Sequence, residues 1–191
     1  MFVSQMQVGH MAVFAYLVGD PVTGDALVID PADNAHDILA QATKNKLRIN
    51  TIVNTHGHVD HIGGNAEMQK LTGAKIVVHE EDAVMLTATP AAMLRMFGAT
   101  QSPPPDILVK DHQVISVGNI DLKVIHTPGH SPGGICLYTP GYVFTGDTLF
   151  VEAVGRTDLP GGSWQTMYHA IKTRLFTLPD ETRVLPGHNY G

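Results

Sequence analysis

A seven-residue stretch in the first half of the chain holds more potential metal ligands than a short loop ordinarily contains. It reads Thr55-His56-Gly57-His58-Val59-Asp60-His61, with three imidazoles and a carboxylate in six positions, and Gly63 and Gly64 follow it. Nitrogen and oxygen donors at this density predict a metal site. The apolar, β-branched run at 51–53 just before it predicts a strand, so the fold must end a strand at this loop.

Three further candidates lie downstream in similar surroundings. They are His130 after Pro128-Gly129, Asp147 after Gly146, and His188 after Gly187, each in a turn that directly follows an apolar run. Histidines are frequent here, and some could be ordinary surface or core residues. We expect this of the histidines that lack such company, among which His79 is the nearest to the site: His10, His36, His79, His112, His126 and His169.

The spacing within the loop predicts two neighbouring cation sites. Residues two apart in an extended segment point to the same side, so His56 and His58 can bind one cation while Asp60 and His61 face a second. Two divalent cations about 3.5–4 Å apart need a bridging group, and the carboxylate of Asp147 can serve. The remaining two candidates, His130 and His188, would then complete one site each.

The motifs resemble those of the metallo-β-lactamase superfamily, and they occur in that family's order over nearly the whole chain. Within it, the segments 55–65, 145–149, 155–158 and 187–190 are most similar to glyoxalase II, the hydroxyacylglutathione hydrolases. The resemblance implies that one metal is held by His56, His58 and His130, and the other by Asp60, His61 and His188, with Asp147 between them. The metals it implies are two divalent ions, zinc first, with iron or manganese as alternatives.

The order of predicted elements indicates an α/β fold. Strands are predicted at 2–8, 13–18, 26–29, 51–53 and 74–78, with helices from Asp33 or Asn34 to about Lys46 and from Asn65 to Thr72, the second ended by Gly73. A second series of strands follows at 114–117, 120–125, 134–138, 142–145 and 183–185, with a helix capped by Ser163. Two such halves imply a four-layer αββα sandwich, which the family resemblance also implies.

Composition limits the remaining choices. With 191 residues and 43% hydrophobic content, the chain can bury one sizeable core, and we expect a single domain over 1–191. A net charge of −6 with no basic stripe argues against nucleic-acid binding. Cys136 is the one cysteine, which excludes an internal disulfide, and the apolar run at 12–18 is too short for a membrane span. No Lys or Arg precedes that run, so the pattern of a secretory leader is not expected. We therefore expect a cytoplasmic protein, and a homo-oligomer is compatible with the sequence.

The predicted chemistry is hydrolysis of a small molecule by a hydroxide that bridges two metals, with Asp60 and Asp147 as catalytic, orienting carboxylates. Resemblance to glyoxalase II implies a glutathione thioester as substrate, with Arg156 and Tyr190 as its contacts. Two departures bear on this expectation. The helical C-terminal domain of the longer glyoxalase II enzymes has no counterpart before the chain ends, so the C-terminus could be incomplete, and Asp158 stands where that group has a tyrosine.

Two other functions are open at this stage. An iron-dependent persulfide dioxygenase shares much of the pattern and would use His56, His130 and Asp147 for one iron. Asp60, His61 and His188 would then have no metal to bind. A non-catalytic metal-binding module would lack a ligand or have a closed metal cage.

The segment 80–106 is rich in methionine between 85 and 97. Its helical apolar stripe predicts core packing, and a substrate wall, a lid or a dimer surface is the alternative.

Overall fold

Two β-sheets packed face to face form the centre of the molecule, which a computed structural model describes over residues 1–190. The first sheet has the order β1-β2-β3-β4-β5-β6 and comprises Phe2–Val8, Val13–Gly19, Asp25–Ile29, Arg48–Val53, Lys75–His79 and Ile107–Val109. The second has the order β11-β10-β9-β8-β7 and comprises Val114–Val117, Ile120–His126, Ile135–Thr139, Tyr142–Gly146 and Arg183–Pro186 as β7 to β11. Strands β1 to β3 are antiparallel, and β3 to β6 are parallel. In the second sheet, only the β10–β11 pair is parallel.

The alternation of side chains along β2 shows how the layers form. Ala15 and Leu17 join the cluster beneath the outer helices, whereas Tyr16 and Val18 join the cluster between the two sheets. Because successive strand residues point to opposite faces, one fully apolar strand supplies two cores. Fully burying a large apolar side chain such as Leu17 contributes about 1.5–3 kcal/mol.

Helices cover the outer faces of both sheets and complete four layers. On the first sheet lie α1 (Ala35–Lys44) and α3 (Asn65–Thr72), which bury Ile38 and Met68. On the second sheet lies α6 (Trp164–Ala170), continued by a π-helical turn at Ile171–Leu175. Met167 and Leu175 pack there against Cys136. The predicted αββα sandwich is confirmed.

The helix ends agree with the sequence at two positions out of three. The Ser163 hydroxyl accepts a hydrogen bond from the amide of Thr166 at 3.3 Å, and Gly73 ends α3 with a positive φ of 72°. At α1, Asn34 is the N-cap residue, as one of the two predicted candidates, but its side chain makes no cap bond. Asp33 instead accepts a hydrogen bond from the amide of Asn34 itself, at 2.6 Å.

The segment between β5 and β7 differs most from the prediction. It contains a 3₁₀ turn at Glu80–Asp82, α4 (Ala83–Thr87), α5 (Ala91–Phe97) and the short strand β6, which was not predicted. Leu86 of α4 is fully buried, as core packing requires. For α5 that prediction was wrong, because none of its residues is buried.

Parallel strands bring the functional loops to one edge of the molecule. Strands β3, β4 and β5 run in the same direction, so the residues that follow Ile29, Val53 and His79 lie at the same end of the first sheet. The loop after β4 carries the histidine motif and leads into a short helix, α2 (Val59–Ile62). Within residues 1–190, no helix has the length and apolar character needed to cross a membrane.

Candidate metal centre

The loop after β4 presents its histidines from two kinds of backbone. His58 is extended, with φ −71° and ψ 147°, and it directly precedes α2. Asp60 and His61 lie on that one-turn helix and therefore point elsewhere. The backbone changes from extended to helical between His58 and Asp60, so the donors on either side of this bend leave the chain in different directions. That the two sets bind two cations stays a prediction.

Two groups made up of predicted ligands converge at this loop, and a third group there joins His56 and His61 to Asp30. In the first, one ring nitrogen from each of His56, His58 and His130 lies within 4.8 Å of the other two. In the second, a carboxylate oxygen of Asp60 and ring nitrogens of His61 and His188 meet the same limit. Residues that are up to 128 positions apart, from Asp60 to His188, thus share one pocket.

Asp147 lies between the two groups. Its Oδ1 is 3.3 Å from Nε2 of His61, and its Oδ2 is 3.6 Å from Nε2 of His130 and 3.6 Å from Nε2 of His188. The side chain is 9% exposed. A carboxylate in contact with members of both groups has the placement that a bridging ligand requires.

Hydrogen bonds fix the tautomers of the histidines. Nδ1 of His130 donates to the carbonyl of Arg156 at 2.8 Å, and Nδ1 of His188 donates to the carbonyl of Met11 at 3.1 Å. Nδ1 of His61 donates to a carboxylate oxygen of Asp30 at 2.9 Å. In each neutral ring, Nε2 then carries a lone pair, and these three nitrogens face the centre.

The rings of His56 and His58 are held by different contacts. The Thr55 hydroxyl donates to Asp30 at 2.6 Å and so accepts from Nδ1 of His56 at 3.1 Å, which leaves Nε2 of His56 bare. His58 is reversed, since its Nδ1 lies 2.8 Å from Nε2 of His130. Because Nε2 of His130 carries a lone pair in this tautomer, Nδ1 of His58 donates a hydrogen bond to it, and a cation bound by both nitrogens would replace that bond.

Two unpartnered atoms show that these residues fit a metal. Nε2 of His56 and Oδ1 of Asp147 are buried without a hydrogen-bond partner. Leaving such groups unpaired costs about 1–3 kcal/mol each. Both belong to predicted ligands, and both would be satisfied by cations. The donor set of imidazole nitrogens and carboxylate oxygens suits zinc, iron or manganese.

The pKa shifts of His56, His58 and Asp147 agree with a ligand set, whereas that of His61 runs the other way because two carboxylates face its ring. Burial, then repulsion from His61 and His58, lowers the pKa of His56 well below its ordinary value, and burial with His130 lowers the pKa of His58 to about 4. Burial raises the pKa of Asp147, but His61 outweighs it and the net shift is downward. Neutral imidazoles and an ionised carboxylate are the forms that bind metals.

Two buried carboxylates that the sequence reasoning missed hold the ligands in place. Asp30 follows β3 with a φ of 47° and accepts hydrogen bonds from the amide and hydroxyl of Thr55 as well as from His61. Burial opposes the charge on His61, yet Asp147 and Asp30 raise its pKa. Asp30 directly follows the apolar strand Asp25–Ile29, and this position could have indicated a buried, functional carboxylate in the sequence.

Asp82, the second missed residue, is 0% exposed and connects the loops of the first metal group. Its Oδ2 accepts from the amide of Gly57 at 2.9 Å and from the hydroxyl of Ser131 at 2.7 Å, and its Oδ1 accepts from the amide of Gly133 at 2.6 Å. Gly57 separates His56 from His58, and Ser131 follows His130. Asp82 therefore sets the distance between those two loops.

A cavity of about 490 Å³ opens directly beside the metal ligands. Both residues predicted to contact substrate line it. The Tyr190 ring stacks on His188, with centroids 4.7 Å apart, and meets Phe150 edge-on at 5.2 Å. The guanidinium of Arg156 is bound by Asp158. The contact of Arg156 with a metal ligand is made by its backbone carbonyl, which accepts the hydrogen bond from His130.

The other histidines stay outside the two groups, as expected. His79 stacks on His126 with ring centroids 4.0 Å apart, and Nε2 of His126 donates to the carbonyl of Pro132 at 2.9 Å. With Glu81, these two rings form a separate polar cluster. His79 therefore pairs with another histidine and does not join either ligand group.

Comparison with known proteins identifies the family. The sequence pattern of the metallo-β-lactamase superfamily matches residues 8–188. The chain belongs to the metallo-β-lactamase superfamily. Its α/β fold is also that of solved members. The crystal structure of BLEG-1, a B3 metallo-β-lactamase, superimposes with a TM-score of 0.90 at 29% identity, covering 99% of this chain and 92% of BLEG-1.

Two further members of the superfamily are similar to this chain, one known from its metal-bound structure and one named for its activity. TTHA1623, crystallised in a di-iron-bound form, has a TM-score of 0.87 at 33% identity, covering 99% of this chain and 93% of its own. A hydroxyacylglutathione hydrolase of Maricaulis maris is 38% identical over 179 residues, which are 93% of this chain. The match spans 62% of that enzyme's length.

Proposed function

We propose that this protein is a metal-dependent hydrolase that cleaves thioesters and uses two divalent cations, zinc first among them. The observation that carries the proposal is the convergence of two ligand groups on one shared carboxylate, with Nε2 of His56 and Oδ1 of Asp147 buried and unpartnered. Most superfamily members are metal-dependent hydrolases, and the hydrolase from Maricaulis maris supports a thioester as substrate.

The tautomers of His56, His61, His130 and His188 support one ligand assignment. One cation would be held by Nε2 of His56, Nδ1 of His58 and Nε2 of His130, and the other by Asp60 together with Nε2 of His61 and of His188. Asp147 would contact both. Bound cations of this kind lower the pKa of water from about 15.7 toward 7 and polarise a carbonyl. Asp60, whose pKa is lowered although burial opposes the shift, accepts protons poorly and would orient groups in the site.

The cysteine of this protein does not supply a competing nucleophile at this site. Cys136 is fully buried and hydrogen-bonded to Thr127 within the core beneath α6. Burial raises the pKa of its thiol to about 11, so the thiolate is scarce at neutral pH. The substrate is instead positioned by the cavity wall, where the ring of Tyr190 is held between His188 and Phe150.

The two alternative functions are less well supported. A single-iron dioxygenase would leave Asp60, His61 and His188 without a common purpose, yet their ligand atoms lie within 4.8 Å of one another. A non-catalytic module would have a closed metal cage. Here a cavity lined by His58, Asp147 and other ligands opens beside the metal groups.

The test combines metal analysis with a substrate panel. Purified protein is assayed for metal content and then for turnover of S-lactoylglutathione, other thioesters, a lactone, a phosphodiester and a β-lactam. We expect about two metals per chain and thioester hydrolysis that a chelator abolishes. Turnover of no thioester would contradict the proposal, and oxygen uptake with glutathione persulfide would favour the dioxygenase. The Asp180→Asn variant, prepared and assayed in the same way, is the control for a change of charge far from the site, because Asp180 precedes β11 at the end opposite His188.

A further inference from the structure

The walls of the cavity beside the metal ligands are mainly apolar. The polar floor is formed by ligand residues such as His58, His130 and Asp147. Above it, the lining side chains are aliphatic, aromatic or thioether groups from four parts of the chain: Met11, Met93, Phe97, Phe150, Val154 and Leu159. A volume of about 490 Å³ is large enough for a small organic arm attached to the reacting group.

Helix α5 supplies one of these walls without serving the core. None of its residues is buried, and Met93, which lines the cavity, is 43% exposed. Leu94 and Phe97 are half-buried and the helix lies against α2, but Met93 remains exposed toward the polar site. Methionine and phenylalanine side chains at this position suit an apolar ligand of variable shape.

Apart from the metal-ligand histidines and the Tyr190 hydroxyl, the described lining of the cavity offers one side chain, Arg156, that could bind an anionic arm. Among the described residues that line it, Arg156 is the only lysine or arginine. Its guanidinium is held by Asp158 in a two-bond pair, with Nε to Oδ1 at 2.8 Å and Nη2 to Oδ2 at 2.7 Å. A substrate carboxylate must displace a carboxylate that is attached only two residues away. That internal competitor has a high effective concentration. The pair is exposed, with the two side chains 63% and 69% accessible, so Asp158 weakens the binding of an external carboxylate by competition and does not block it.

We propose that this cavity selects thioesters with uncharged, apolar arms over thioesters of glutathione. The inference rests on the proposed thioester hydrolysis and narrows its substrate class. Glutathione carries two carboxylates and an ammonium group, which the walls formed by Met93, Phe97 and Leu159 do not match in chemistry. Asp158 is the specificity residue, because it occupies the one guanidinium that could bind such a carboxylate.

The first test compares two thiols and two acyl groups. Acetyl and hexanoyl thioesters of glutathione and of N-acetylcysteamine, a neutral thiol, are assayed with metal-loaded protein. We expect kcat/KM at least tenfold higher for the N-acetylcysteamine thioesters. Hexanoyl should exceed acetyl at either thiol, by up to about fourfold for each methylene that becomes buried. Turnover of no thioester overturns the proposed function, whereas equal or better turnover of the glutathione thioesters overturns only this inference.

The second test releases the guanidinium. Asp158→Asn should raise kcat/KM for the glutathione thioesters about tenfold through a lower KM and leave the N-acetylcysteamine thioesters unchanged. Calorimetric titration with S-methylglutathione, which has no free thiol to bind the metals, gives a readout independent of turnover, with binding expected to be about tenfold tighter in the variant than in the parent. Asp180→Asn makes the same change of charge at the far end of β11 and should alter neither. An unchanged preference in Asp158→Asn would overturn the role of Asp158.

The third test uses two methionines of the same helix. Met93→Gln replaces a cavity-lining side chain with a polar one of similar shape, and Met96→Gln makes the identical change at a residue that is 79% exposed and outside the cavity. We expect Met93→Gln to raise KM for the hexanoyl thioester about five- to tenfold and to spare the acetyl one. Neither substitution disturbs the core, so folding is preserved. Equal effects of the two variants would overturn the apolar wall.

Discussion

At the scale of single residues, Asp147 is the group on which both halves of the metal centre depend. Its two oxygens lie 3.3 Å from Nε2 of His61 and 3.6 Å from Nε2 of His130 and of His188. Two cations that both contacted this carboxylate would lie close together and repel each other, and one shared negative charge would reduce that repulsion. The charge, rather than the shape, of Asp147 should therefore decide whether both ions bind.

We predict that Asp147→Asn lowers the metal content from about two per chain to one or fewer and reduces thioester turnover at least 100-fold. The substitution removes the charge and keeps the size, so folding should be retained. Elemental analysis after dialysis, together with turnover of the best thioester, measures both effects. Two tightly bound metals in the variant would contradict the bridging assignment.

Asp82 acts at a distance from the metals. In Asp82→Ala, the amides of Gly57 and Gly133 and the hydroxyl of Ser131 lose a buried acceptor, at a cost of about 1–3 kcal/mol for each unpaired group. We predict a lower thermal midpoint and a metal affinity weakened about 10- to 100-fold, as for other groups that position ligands.

The control for Asp82 is its neighbour Glu81, which is exposed. Glu81→Ala removes the same kind of charge one residue away and should leave the metal affinity within a factor of two. The affinity is measured by competition with a chromophoric chelator, independently of turnover. If both variants bound metal as the parent does, Asp82 would have no positioning role.

The two kinds of residue differ in how far the sequence reveals them. His56, His58 and His61 lie within six positions, and the short-range spacing alone predicted a metal site. Asp30 and Asp82 act on that loop from 25 residues away on either side. A lone buried carboxylate has no local pattern, and its partners are known only once the parallel strands bring the loops to one edge.

At the scale of elements, Asp111 joins the end of the C-terminal helix to the second sheet. Its carboxylate accepts two hydrogen bonds from Nη2 of Arg174, at 2.7 and 2.9 Å, and one from the amide of His126 at 2.9 Å. Burial would raise the pKa of Asp111, but Arg174 and the His126 amide outweigh it and lower the pKa to about 2.

This tie predicts a pH dependence of stability. Because the folded pKa lies below the unfolded value of about 3.9, the contribution is complete above about pH 4 and is lost as the pH falls toward 2. Asp111→Asn should lower the free energy of unfolding by about 1–2 kcal/mol at pH 7 and much less near pH 2. Urea unfolding at both pH values measures the difference. Asp121→Asn, an exposed residue that bonds to Ser116, should show no comparable change between the two.

Elements were predicted well where the pattern of burial is regular and poorly where it is not. The apolar strand β2 and the Ser163-capped helix α6 follow their periodicity. Helix α5 carries the same apolar spacing, yet none of its residues is buried. A helical stripe shows which side chains share a face, but the neighbour of that face is decided by the tertiary fold. Here that neighbour is the cavity.

At the scale of the whole molecule, the metal ligands come from both halves of the sandwich. Those from the first half lie in the loop after β4, whereas His130, Asp147 and His188 follow β8, β10 and β11 of the second sheet. The sheets already share a core that includes Val53, Val77 and Phe144. Metals that bind both halves add a second connection at the edge of that core.

This arrangement predicts that chelation destabilises the entire fold and not only the loops. A ligand present at 100 times its dissociation constant contributes about 2.7 kcal/mol, and 1 kcal/mol shifts the midpoint of a chain this size by about 2–4 °C. Removal of the metals should therefore lower the thermal midpoint by roughly 5–10 °C, reversibly on adding zinc. Calorimetry with and without chelator measures the shift, and Asp147→Asn should show a smaller one. A parent protein that lost all its metal without any shift would show that the ions do not join the two halves.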